Sequence, residues 1–123
     1  MRFYVNTLDD ISCITIDGTL NALDMIFMMQ SAEFKTAITS NNKLLFDYSA
    51  VDGTNMSAED VFGVAMLGKR SLENSGNTHL AIVVDDLARR DMEKISKAIF
   101  SNTQSEIFVS DDKNQAIQIL KST

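Results

Sequence analysis

The side chains able to do chemistry are few in this chain, and they are scattered. One histidine, His79, and one cysteine, Cys13, are its whole stock of imidazole and thiol. Nucleophilic catalysis needs an activated nucleophile with a base held beside it. His79 opens a predicted strand, at the opposite end of a sheet from the loops that hold active sites in α/β folds, and reads as a strand-end residue. Cys13 falls inside a predicted strand and reads as a small packing residue. A zinc site needs several Cys and His ligands, more than these two residues supply. Carboxylates are the richer class. Asp47, Asp52, Asp85, Asp86, Asp111 and Asp112 fall at or just past the carboxyl ends of predicted strands, where oxygen ligands could gather Mg²⁺. Four of them form Asp-Asp pairs that open helices, and aspartate there also caps backbone N–H groups and meets the positive end of the helix dipole. Capping is the simpler account. No glycine-rich phosphate loop is present. The chain therefore reads as a non-enzyme, with no catalytic residue, metal or cofactor expected.

Two further features invite a functional reading. Ser57-Ala58-Glu59-Asp60 puts a hydroxyl at a helix start and a carboxylate three residues later, close to a capping box. Ser57 can serve as the cap, or as an exposed phosphate acceptor facing free backbone N–H groups, against which Glu59 and Asp60 would act by repulsion. The second feature is methionine. Met25, Met28, Met29 and Ala32 lie opposite the expected core stripe of the first helix, and Phe62 and Met66 form an i, i+4 pair beside the stripe of the second. Methionine packs adaptably, so these side chains suit a protein contact, self-association or an apolar ligand, or else packing under the chain's own loop.

The elements that must position these residues alternate in type. Strands are expected over 2–6 and 12–17, joined by a short polar link as an antiparallel hairpin. A helix follows over 21–39, with Leu23, Ile26, Phe27, Phe34, Ala37 and Ile38 inward. A strand over 43–47 and a loop through Gly53 lead to a helix from Ser57, with Val61, Val64, Ala65, Gly68 and Leu72 inward and Ser75-Gly76-Asn77 as its stop. A buried strand over 79–84, a helix over 86–100 with Ala88, Met92, Ile95 and Ile99 inward, a strand over 106–109 and a helix over 112–121 anchored by Ala116, Ile119 and Leu120 complete the chain. The order ββαβαβαβα, with right-handed crossovers, predicts a five-stranded, mostly parallel α/β sheet with its helices mainly on one face. Leu45, Ala81 and Val83 would then make the opposite face half apolar.

Bulk properties set the class. With 123 residues, 45% hydrophobic and 23% charged, the chain fits one globular domain spanning 1–123. A net charge of −6 with no basic run argues against nucleic acid. The lone thiol rules out an internal disulfide, and no stretch approaches the ~20 apolar residues of a membrane span or resembles a secretory signal. A cytoplasmic location is expected.

Several landmarks together resemble the SpoIIAA-like branch of the STAS superfamily, which holds anti-sigma-factor antagonists and the cytoplasmic domains of sulphate transporters. They are Ile16-Asp17-Gly18 opening onto a helix, Leu44-Leu45-Phe46-Asp47 followed by Ser49 and Val51, Leu80-Ala81-Ile82-Val83 ahead of a helix, and Ile107-Phe108 ahead of Ala116. The resemblance covers nearly the whole chain. It implies a superhelix of βα turns and a regulatory, protein-interacting role. In the antagonists a serine at the start of the second helix is phosphorylated, within an Asp-Ser-Ser-Gly pattern. Here Asn55 stands for the aspartate, Met56 for one serine and Ala58 for the glycine, so Ser57 alone matches. The chain also resembles uncharacterised STAS-like proteins akin to the lipid-binding CRAL-TRIO fold, which implies no reaction. The leading expectation is a regulatory interaction module with a protein partner or a second copy; the alternative is a binder of a small apolar or lipid-like ligand.

Overall fold

A computed structural model describes residues 1–75, 79–100 and 106–123. Its elements are β1 (Arg2–Leu8), β2 (Ile11–Leu20), α1 (Ala22–Gln30), α2 (Ala32–Ser40), β3 (Lys43–Thr54), α3 (Ala58–Ser75), β4 (His79–Val83), α4 (Asp86–Phe100), β5 (Glu106–Ser110) and α5 (Lys113–Lys121). The strands lie in chain order, β1-β2-β3-β4-β5. β1 pairs antiparallel with β2, and the remaining neighbours pair parallel. The expected architecture is present. The expected helix stop at Gly76 and Asn77, and the side chains of Ala88, Ile95 and Ile99, lie outside the described residues.

Alternation along the strands sorts side chains between two cores. Ile14, Ile16, Leu44, Phe46, Leu80 and Ile82 face α1 to α4. Ile11, Cys13, Leu45, Ala81 and Val83 face Ala116 and Leu120 of α5. The half-apolar second face thus has its cover within the chain. Handedness directs a helix that joins two neighbouring parallel strands, and α5 joins no two of these five, so that rule does not set its side. Asp112 caps it, accepting from the backbone N–H of Asn114 and Gln115. Buried Ser12 fastens α2 to the sheet: its hydroxyl donates to the Ala37 carbonyl (2.8 Å) and accepts from Asn41 (3.0 Å).

The main departure from the sequence reading lies in the first helical segment. One helix over 21–39 was the expectation, and the chain forms two. Ser31 sits between them with extended backbone (φ −70°, ψ 151°). Its hydroxyl donates to the Met28 carbonyl (2.7 Å) and accepts from the Phe34 N–H (3.1 Å), so one residue ends α1 and caps α2. A single extended residue resets the helical phase. Phe34, Ala37 and Ile38 remain buried as expected, whereas the face of α1 is reversed. Met25, Met28 and Met29 are buried, while Leu23 and Phe27 stand 60% and 59% exposed. The methionine face of α1 is therefore an inner wall, and its assignment to the outer surface is corrected.

Candidate functional site

Strands β2 and β3 run past their expected ends, and this places the starts of α1 and α3 side by side. Beyond Asp17 and Asp47 the pairing continues through two register shifts, with Asp17 opposite Ala50 and Leu20 opposite Thr54. Gly18 takes φ +84°, a conformation that an L side chain rarely adopts, where the ladder is irregular. Thr19 donates its hydroxyl to Asp52 (2.9 Å), and the Asn55 N–H donates to the Leu20 carbonyl (2.9 Å). Asn21 and Ser57, the two helix starts, thus follow directly on paired backbone.

Both starts are closed by reciprocal caps. The Asp60 N–H donates to the Ser57 hydroxyl and the Ser57 N–H to the Asp60 carboxylate, each at 3.1 Å. At the other start the Asp24 N–H donates to the Asn21 side-chain oxygen (2.9 Å), and the Asn21 side-chain amide donates to the Asp24 carboxylate (3.0 Å). The Ser57 side chain is exposed and already engaged as a cap. A phosphate on it would meet Asp60 and Glu59 in the first turn.

Outward from these caps, α1 presents Leu23 and Phe27, and its neighbour α3 presents Phe62, Met66 and Leu67. Phe62 and Met66 are exposed, as the sequence placed them, but their companions on α1 are Leu23 and Phe27 rather than the methionines. Gly63 lies on the same exposed side of α3 with nothing within 4 Å of the position its Cβ would take.

Inward, the two helices and α4 roof a cavity of about 140 Å³ over the sheet. Five of the chain's seven methionines line it: Met25, Met28, Met29, Met56 and Met92. The expected stripe of α3 forms another wall, through Val61, Val64, Ala65, Gly68 and Leu72. Among the described residues, the polar side chains on the lining are Tyr48 and Ser96. Burial pushes the Tyr48 phenol up to about 12.

The other candidate residues make contacts within the fold. His79 faces Glu106 across the β4–β5 ladder at 3.6 Å. Cys13 is buried against α5, and desolvation pushes its thiol up. Asp47 is buried, accepts from Ser49 and pairs with Lys113 at 3.4 Å. Asp111 meets Arg89 at 3.9 Å, and Asp86 lies in the first turn of α4. Among the described residues no three His, Cys, Asp or Glu side chains gather as metal ligands, and no helix is long and apolar enough to cross a membrane. The cavity escaped the sequence reading because it depends on the break at Ser31.

No protein-family model matches the chain, and no curated protein matches it in sequence. Solved structures do share its fold. The anti-sigma factor antagonist SpoIIAA in its unphosphorylated form superposes with a TM-score of 0.65 at 13% identity, covering 99% of this chain and 100% of that one. An uncharacterised protein of the DUF3478 family from Shewanella loihica PV-4, described as having a SpoIIAA-like fold, gives 0.63 at 16% identity over 97% of this chain and 92% of that one. An anti-sigma factor antagonist from Mycobacterium paratuberculosis gives 0.55 at 13% identity, with 98% and 93% covered. The chain has the SpoIIAA-like, STAS-like fold.

Proposed function

We propose that this chain is a non-enzymatic regulatory module that docks a protein partner through the outer faces of α1 and α3. The observation carrying this reading is the pair of exposed apolar ladders, Leu23 with Phe27 and Phe62 with Met66, on neighbouring helices. Each pair is spaced i, i+4, so its two side chains stand one above the other. Burying one such side chain contributes about 1.5–3 kcal/mol, and a few aromatic anchors carry most of the energy of a protein contact. Gly63 supports the same face. A glycine inside a helix costs about 0.5–1 kcal/mol relative to alanine, nothing among the described residues crowds the place its Cβ would take, and a partner's backbone could approach closely there.

The fold it shares with two anti-sigma factor antagonists favours regulation by binding. Ser57 acts in this reading as the cap that aims α3. Its hydroxyl and Asp60 already satisfy one another, and a phosphate would break that exchange.

The test is affinity capture from the native host with the wild-type chain and with Phe27→Asp/Phe62→Asp, joined to sedimentation of both. The wild type is expected to retain a specific protein or to dimerise. The variant, folded by circular dichroism, is expected to weaken that association about 30-fold or more. Equal capture and equal sedimentation of the two would remove the proposal.

A further inference from the structure

The cavity beneath α1 and α3 is independent of the docking face, and its chemistry is specific. An apolar cavity close to this size stays dry and takes up benzene or xenon. Here the described side chains that wall about 140 Å³ are apolar save for Tyr48 and Ser96. Protein interiors ordinarily close such space. Branched side chains would give the wall one fixed shape, whereas five methionines, unbranched and polarizable, let it adjust to a guest and favour contact with an aromatic ring.

Tyr48 supplies the polar element. Its hydroxyl has no hydrogen-bond partner among the described residues, yet no side-chain oxygen or nitrogen among them is both buried and unpaired. The phenol is therefore reachable while its ring sits in the wall. With its pKa pushed up to about 12, it keeps its proton and remains a donor at any physiological pH. Among the described residues no Lys, Arg or His side chain lines the cavity. A carboxylate entering it would leave water without a counter-charge, which is strongly unfavourable.

We propose that this cavity binds a small neutral molecule of about benzene size, its apolar body against the methionines and one oxygen or nitrogen accepting from the Tyr48 hydroxyl. This narrows the class of apolar ligand to phenol-like or similarly small neutral compounds.

The test uses the full chain with methyl-¹³C methionine, titrated with p-cresol, benzene and hexanoate. p-Cresol and benzene are expected to give saturable shifts of the Met25, Met28, Met29, Met56 and Met92 methyls while exposed Met66 stays still. Hexanoate is expected to bind at least about tenfold more weakly, its charge being unpaired in the cavity. Tyr48→Phe is expected to weaken p-cresol about fivefold, the net worth of one hydrogen bond, and to leave benzene unchanged. Absence of saturable shifts with all three probes in the wild type, or equal movement of Met66, would overturn the site. Unchanged p-cresol affinity in Tyr48→Phe, or hexanoate binding as well as p-cresol, would overturn the assigned ligand class. Either failure leaves the docking face untouched, because no residue of that face lines the cavity.

Discussion

On one face of the sheet, α5 is held by Ile11, Cys13, Leu45, Ala81, Val83, Ala116 and Leu120, all nearly or fully buried. On the other, α1 to α4 cover a larger core in which methionines border an open space of about 140 Å³. The first core is small, mostly branched or compact, and contains no methionine among its buried members. Its geometry is also tied by charge: Lys113 of α5 meets Asp47 of β3, Lys121 meets Asp9 of the β1–β2 turn at 3.3 Å, and Lys43 meets Asp10 at 3.1 Å. The hydrogen bond from Lys43 holds the Asp10 carboxyl below its ordinary range. The second core is bordered by side chains that adapt. One face of this molecule specifies shape, and the other retains room.

Deleting a side chain from each core gives the largest expected effects and the sharpest contrast. Leu45→Ala removes a fully buried branched side chain from the tight face and should cost about 3–4 kcal/mol in urea unfolding. Met28→Ala should cost about 2 kcal/mol, the low end for such changes, because neighbouring methionines can move into the space. Equal costs would break the comparison, since they would mean that the methionine core is as rigidly packed as the other.

Much of this contrast was legible in the sequence, and one part was not. The strand order followed from the alternation of short apolar runs with helical patterns, and the α3 stripe from Val61 to Leu72 followed from its 3.6-residue period. The half-apolar back face was visible in Leu45, Ala81 and Val83, although the element covering it was not, because nothing local tells a helix that joins no two of these strands which side to take. The phase of α1 was ambiguous. Ala22, Leu23, Met25, Ile26, Phe27, Met28 and Met29 leave almost no polar residue to mark an outer face. The deciding signal was Ser31, a capping residue followed by acidic Glu33, which reads equally as an ordinary helical serine when the pattern on both sides is apolar. The extension of β2 and β3 was hidden for a similar reason, since Asp52-Gly53 carries turn chemistry and here sits in an irregular ladder.

Each core also holds a weak acid whose proton burial protects, Cys13 on the tight face and Tyr48 on the open one. Tyr48 gives the measurable case. In the unfolded chain its phenol ionises at about 10, and in the fold it ionises at about 12. Between these values the unfolded chain loses the proton first, so its contribution to stability is complete below pH ~10 and declines as pH rises through ~12, by roughly 2–3 kcal/mol in all. Urea midpoints measured from pH 9 to 12 should fall in the wild type more steeply than in Tyr48→Phe. Identical slopes would place the phenol in water and remove it from the cavity wall.

The smallest expected effect separates the cavity from the surface most finely, because it compares two glycines on one helix. Neither Gly63 nor Gly68 has a positive φ, so alanine fits both backbones, and each Gly→Ala change should stabilise α3 by about 0.5–1 kcal/mol through helix propensity. The two methyls then meet different surroundings. At Gly63 the new carbon finds open space, whereas at Gly68 it points into the cavity wall, 3.8 Å from the Met29 sulfur, an ordinary contact. Filling that space adds up to about 0.8 kcal/mol for one buried carbon. Gly68→Ala should therefore raise the urea midpoint more than Gly63→Ala. A smaller gain at Gly68 than at Gly63 would mean that the methionine wall already closes on that position and that the room inferred there is filled by the chain itself.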